Sequence, residues 1–238
     1  MSLTRKGCAL RSAALLAALL LLAACVTPDA ESHPITTAAP VITDLLADAS
    51  LWRTRGEAEL RPEWSLENGV LTLSGAGGGD ITTGAVYDDF VLDFEWRVAR
   101  GGNSGVFYFV DPDLDAPAYH SGPEYQLLDN TAHADGQSPL TSAGAVYGLF
   151  PTRTNAARPG GQWNRARIVA RNGQVTHWLN GERVAQYAIQ TDRFCTAVNR
   201  SKFVNWNDTF AKAKSGIIVL QDHGDPVSFR RMHLTTVD

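Results

Sequence analysis

The sequence predicts an all-β fold, a sandwich of two antiparallel sheets. Three features carry that prediction: a two-residue hydrophobic period, three Asn-Gly pairs between strand-like runs, and no long amphipathic helical stripe. In Phe90–Val98 every even position is apolar and three of the four odd ones are charged, the pattern of a half-buried strand. Asn68-Gly69, Asn172-Gly173 and Asn180-Gly181 suit type I′ turns, because Asn and Gly accept the two positive φ angles such a hairpin demands. Ten or more short strands in roughly 190 residues call for two sheets packed face to face. A closed barrel is the second choice. No repeat of fixed period occurs, so a propeller is not expected.

The chain opens with an address. Arg5, Lys6 and Arg11 precede an apolar run from Ala13 to Leu22, then Ala23-Ala24-Cys25. A basic start, a short hydrophobic stretch and small residues form a secretory leader over 1–24. The run is about half of what spans a bilayer. Leu22-Ala23-Ala24-Cys25 resembles a lipobox, which makes Cys25 the lipidated first residue of an anchored, non-spanning protein. With Val26 and no Asp after the Cys, sorting in Gram-negative cells points to the periplasmic face of the outer membrane. Residues 25–44 read as a tether rich in Pro, Thr and Ala, and the folded domain is expected over 45–238.

All 238 residues together carry 21 basic and 25 acidic side chains. Loss of 1–24 removes three bases and no acid, moving the net charge from −4 to −7. An acidic body argues against a nucleic-acid partner. Cys195 is left without Cys8 and with Cys25 capped, so no internal disulfide is expected. Cys195 is given no catalytic role.

Beyond the tether, Arg165–Arg171, Gln174–Leu179 and Arg183–Ala188 are expected to form a meander through the last two Asn-Gly turns. Further strands are expected at Gly105–Val110, Glu124–Leu128, Ala145–Leu149, Gly216–Gln221 and Val227–Leu234. The glycine run 75–79 has no helix after it and reads as a loop, and 191–214 reads as irregular.

Familiar catalytic signatures are missing: no Gly-Lys-Ser/Thr phosphate loop, no Gly-x-Ser-x-Gly elbow, no His-Glu-x-x-His and no Cys pair for zinc. What remains are polar residues within apolar strands. Glu124 and Gln126 share one face of their strand, opposite Tyr125 and Leu127. His177 sits at a strand centre, where a packing role competes with a functional one. The strand 217–220 turns polar only on leaving, at Gln221, Asp222 and His223, with Asp225 as a turn acceptor or more. His223, Asp222, Glu124 and His133 mix nitrogen and oxygen donors that could hold a divalent ion, although no ligand spacing demands a cofactor.

Taken in order, Asn103-Ser104-Gly105-Val106-Phe107, Glu124-Tyr125-Gln126-Leu127-Leu128-Asp129-Asn130, Trp163-Asn164, His177-Trp178-Leu179-Asn180-Gly181, Ser201-Lys202-Phe203 and the closing Gln221-Asp222-His223-Gly224 with Phe229-Arg230 resemble one family. It is the 3-keto-disaccharide hydrolase domain family, over roughly 45–237. One departure is Arg231, where such proteins commonly show Asn. The resemblance implies a concanavalin A-like jelly-roll sandwich and activity on glycosides whose C3 hydroxyl is already a ketone. The Glu-x-Asp-x-x-Glu strand of laminarinase-type enzymes does not occur, which disfavours double displacement on an unoxidised glucan.

A C3 ketone acidifies the C2 proton, and the C1 leaving group then lies β to the carbanion. Elimination followed by hydration amounts to hydrolysis. That route asks for a base, an acid and stabilisation of the enolate oxygen. Glu124 and His223 are assigned as base and acid, in either order. Lys202 and Arg97 are candidates for anion stabilisation, while Gln126, Gln221, Asn103, Tyr147, His177 and Asp222 are expected around the sugar. Trp206 is expected to stack on it, to cover it as a lid or, as is commoner for a loop Trp, to plug the core. The alternative is a carbohydrate-binding lipoprotein without turnover.

Overall fold

The computed structural model describes residues 40–237. The expected leader, its Cys25 acylation site and most of the tether lie outside the described residues. Among the described residues no helix is long and apolar enough to cross a membrane.

The strands are β1 (Ile42–Asp44), β2 (Trp52–Thr54), β3 (Trp64–Glu67), β4 (Val70–Leu73), β5 (Ile81–Thr83), β6 (Phe90–Val98), β7 (Asn103–Val110), β8 (Glu124–Leu128), β9 (Asn164–Arg171), β10 (Gln174–Leu179), β11 (Glu182–Ala188), β12 (Ile217–Leu220) and β13 (Val227–Thr236), with one helix, α1 (Asp192–Asn199), between β11 and β12. They form two antiparallel sheets, a jelly-roll sandwich. The larger runs β11-β10-β9-β6-β13-β4-β3 with β1 added on β13, and the smaller runs β2-β5-β12-β7-β8. β1 falls within the stretch read as tether, and its register with β13 sets Thr43 opposite Leu234.

The period of two decides which side of each strand is inside. On β6, Phe90, Leu92, Phe94, Trp96 and Val98 are all at most 2% exposed, each such side chain being worth about 1.5–3 kcal/mol of burial. All three Asn-Gly pairs take the expected left-handed angles, with φ of 50° at Asn68, Asn172 and Asn180.

Local departures have identifiable causes. Ala145–Leu149 is not a strand: only isolated bridges tie Val146 to Tyr125 and Phe150, because left-handed Gly144 and Gly148 (φ 86° and 67°) turn the chain on either side. The stretch 191–214 contains α1, which sequence periodicity missed because two turns offer only Phe194 and Val198 as a buried stripe. Thr191 caps it by accepting a bond from the Phe194 N–H. Cys195 lies on α1; Cys8 and Cys25, on which the expectation of no internal disulfide turns, lie outside the described residues. On β7 the pairing slips between Val219 and Ile217 and Phe109 takes φ 55°, so alternation reverses. Tyr108 and Phe109 both enter the main core, leaving Phe107 and Val110 on the outer side with Ile217 and Val219. Gly216 makes room for this bulge, since a Cβ there would lie 2.6 Å from the Phe109 Cα.

Candidate active site

The site lies on the outer face of the smaller sheet. Its floor is apolar: Phe107, Val110, Ala118, Ile217 and Val219 form a cluster separate from the main core, flanked by Tyr119. Glu124 opens β8 at the edge of this floor, directly opposite Phe107. Gly105 is paired with Gln126 on one side and accepts the Gln221 N–H at 3.0 Å on the other. The Glu124 side chain occupies the space over Gly105 that a Cβ would fill, its Cδ 2.9 Å from that position. Gln126, Gly105 and Gln221 thus make a row beneath the carboxyl group.

Burial is the largest influence on Glu124 and raises its pKa to about 8; nearby Lys202 opposes the rise, while Asp80 and Asp135 add to it. At neutral pH the carboxyl is held mostly protonated, as a proton donor rather than an anion.

Lys202 comes from the 3₁₀ turn Lys202–Trp206, whose start is fixed by Ser201 accepting the Phe203 N–H. Phe203 and Phe210 anchor that turn by stacking at 4.5 Å, and Phe210 stacks in turn on Phe194 of α1. The Lys202 Nζ sits 4.6 Å from the centre of the Tyr147 ring and 6.0 Å from that of Tyr119. Tyr147 donates its hydroxyl to Asp135 at 3.2 Å, and burial with that carboxylate pushes its pKa to about 12. Trp206 is stacked on His120 at 4.3 Å with Tyr119 edge-on, so it forms a wall rather than a detached lid.

Unmet acceptors mark the same face. Asn103 Oδ1, Gln126 Oε1 and Gln221 Oε1 are buried without a hydrogen-bond partner, a situation that calls for incoming donors. The Gln126 amide nitrogen already donates to the Thr141 carbonyl at 3.2 Å, which leaves its oxygen as the group to satisfy. His223 is exposed at the rim, with Nε2 3.3 Å from the Asn103 Nδ2.

Glu124, Gln126, Asn103, Gln221, His223, Tyr147 and Lys202 are therefore brought together; Arg97 and His177 are not, and Asp222 is beside them with its carboxylate already engaged. Arg97 lies on β6, in the other sheet, with its guanidinium over Trp163 at 4.8 Å; an odd position on that strand faces away from the sandwich. His177 is fully buried between the sheets. Its Nδ1 faces the Gly144 carbonyl at 3.0 Å and its Nε2 the Tyr108 hydroxyl at 2.8 Å. A carbonyl only accepts, so Nδ1 carries the proton and Tyr108 donates to Nε2; burial lowers the pKa to about 4. Asp222 is consumed by the glycine loop, accepting the N–H groups of Gly77 and Gly79 at 3.1 and 2.8 Å. Arg97 and His177 are accordingly corrected from substrate contacts to packing roles, while Asp222 stays beside His223 and Asp80 with its carboxylate engaged by the glycine loop.

Asp225 accepts the Asn103 N–H at 3.0 Å, a long-range bond that ties its loop to the start of β7 rather than closing its own turn. His133 accepts the Asp135 N–H. Among the described residues no group of three or more His, Cys, Asp or Glu side chains is placed to hold a metal ion, so the mixed donor set does not converge.

Sequence reasoning missed Asp80, Arg55, Asp135 and His120. Asp80 precedes β5, accepts the Asp222 N–H at 3.0 Å, and is raised in pKa by burial while Arg55 and His223 oppose that rise. Arg55 clamps the segment 112–117 by donating to the carbonyls of Leu114 and Ala116. A cavity of about 610 Å³ opens there beside Asp80. The only available signal was a polar residue flanking a short apolar strand, which is too common to select them.

A model of the 3-keto-alpha-glucoside-1,2-lyase-like domain matches residues 44–235. The chain belongs to this family. A relative named 3-keto-disaccharide hydrolase, from Bacteroides thetaiotaomicron, is 33% identical over 216 residues, covering 79% of this chain and 74% of its own. A crystal structure of a candidate glycosyl hydrolase from Parabacteroides distasonis superposes with a TM-score of 0.75 at 27% identity, over 83% of this chain and 94% of that one. A Bacillus subtilis protein with a galectin-like fold matches with a TM-score of 0.54 at 11% identity, over 85% of this chain and 99% of its own; that likeness bears on fold alone, and it is the sandwich expected of a family member.

Proposed function

We propose that this glycosidase-type enzyme cleaves the glycosidic bond of 3-keto-disaccharides by elimination across C1 and C2 followed by hydration. The observation that carries the reading is Glu124: a buried, protonated carboxyl on an open sheet face, beside a lysine and three unmet amide acceptors. The name of the Bacteroides relative supplies the substrate class.

In this reading the pre-oxidised ring lies over Gly105, with its hydroxyls donating to Asn103, Gln126 and Gln221. His223 at the rim takes the C2 proton and the electron pair moves into the C3 carbonyl. Lys202 stabilises the enolate oxygen, an effect worth about 10²–10³ in rate for one such donor. Glu124 protonates the departing oxygen as the C1–O bond breaks. Water adds to the resulting double bond to complete hydrolysis. Burial of Glu124 serves this order of events, because an acid must still hold its proton at working pH.

The test is incubation of the purified domain with 3-keto-trehalose and with trehalose, followed by NMR. Release of 3-keto-glucose from the oxidised sugar alone is expected, with loss of turnover in Glu124→Gln. Equal cleavage of trehalose, or full activity in that variant, would defeat the proposal. Acylation of Cys25 and attachment to the outer membrane are also proposed, resting on the lipobox-like 22–25; mass spectrometry of the mature N-terminus tests them.

A further inference from the structure

The outer face of the larger sheet holds a second cleft, on the opposite side of the sandwich from Glu124. Register builds it. Asp93 on β6, Arg167 on β9 and Trp178 on β10 are directly opposed across three strands. In the next row Arg165 lies opposite Glu95, and the Arg165 carbonyl accepts the Asn180 N–H at 2.7 Å. Arg158 closes a cleft of about 440 Å³.

The guanidinium groups differ in what they have left to offer. Arg167 is held by Asp93 through two bonds of 2.7 and 2.9 Å. Arg158 spends one N–H on the Trp163 carbonyl at 3.0 Å. The Arg165 side chain has no hydrogen bond or ion pair among the described residues, because Glu95 opposite it is taken by Arg230 and Arg231. Three arginines thus face one aspartate in a chain whose overall charge is negative. The half-buried indole of Trp178 lies among them.

We infer that this cleft is a second, non-catalytic site for an acidic saccharide. A guanidinium fork matches a carboxylate in shape as well as charge, and an indole beside it offers an apolar surface to the pyranose ring that bears the carboxylate. Arg165 and Arg158 receive the carboxylate and Trp178 the ring. Such a site tethers the enzyme to uronate-bearing material without touching its chemistry, and it stands whether or not the catalytic proposal does.

Calorimetric titration with trigalacturonate, with maltotriose and with sodium sulfate decides the matter. Trigalacturonate is expected to bind the wild type and to weaken about tenfold or more in Arg165→Ala, the loss of one charged hydrogen-bonding group. It is expected to weaken also in Trp178→Phe and with added salt, and to be unchanged in Glu124→Gln. Circular dichroism establishes that the variants are folded, and cleavage by Arg165→Ala should match the wild type. Equal binding of maltotriose, equally strong binding of sulfate, loss in Glu124→Gln, or no trigalacturonate binding would each overturn the inference.

Discussion

The carboxyl group of Glu124 rests in the space that a side chain on Gly105 would need, with its Cδ 2.9 Å from where that Cβ would stand. The two residues lie on neighbouring strands, one step apart along the shared face. Gly105 therefore acts as a socket. Its φ is not among the positive ones, so Ala is compatible with the backbone and only the carboxyl must move. Gly105→Ala is expected to fold normally and to lose about 100-fold in kcat, since displacements near 1 Å have that effect. A kcat within twofold of wild type would show that Glu124 does not need this seat.

Activity should follow the proton on Glu124. With its pKa raised to about 8, an acid role predicts that kcat/KM falls on the alkaline side through about pH 8. A rise through the same pH would instead make Glu124 the base. The pH profile on a 3-keto-glycoside separates the two.

Stability should carry the same signature with a definite sign. Glu124 binds its proton more tightly folded (about 8) than unfolded (4.5), so its contribution is complete below 4.5 and is lost as pH rises to about 8. His177 goes from 6.5 unfolded to about 4 folded; its contribution is complete above 6.5 and is lost as pH falls to about 4. The two oppose one another between 4.5 and 6.5, where a plateau is expected. From 6.5 to 8 stability should fall by about 2 kcal/mol, one proton over that window, and Glu124→Gln should abolish that fall. Urea unfolding at a series of pH values measures it.

His177→Ala is expected to cost about 3–5 kcal/mol, through a cavity and the stranding of the Tyr108 hydroxyl and Gly144 carbonyl. KM should not change at a temperature where the variant is folded. A raised KM would return His177 to the substrate site. Arg97→Ala, on the far sheet, should leave turnover unaltered.

Arg231 sits at the bulge between Arg230 and His233 with φ 51°, an angle Asn tolerates better than Arg. That gives a backbone reason for the Asn that the sequence resemblance implies there. Its bond to Glu95 is made by a largely exposed side chain and is worth little. Arg231→Asn should raise stability by about 0.5–1 kcal/mol, read as a shift in urea midpoint without a change in slope.

Strand alternation and Asn-Gly turns are local, so β6, β8 and β10 were legible to the residue, and so was the shared face of Glu124 and Gln126. The order of the family-like motifs carried the choice of fold and chemistry. What no local pattern could supply was which sheet face a polar residue would reach. Arg97 and Lys202 look equally cationic in sequence, yet one lies over Trp163 on the far sheet and the other over Tyr147 beside Glu124. The bulge at Phe109, the core site of His177 and the convergence of Asp80 and Asp135 on one carboxyl arise from pairings between segments far apart in the chain. A period of two tells inside from outside on each strand; only the packing of the two sheets decides which outside becomes a site.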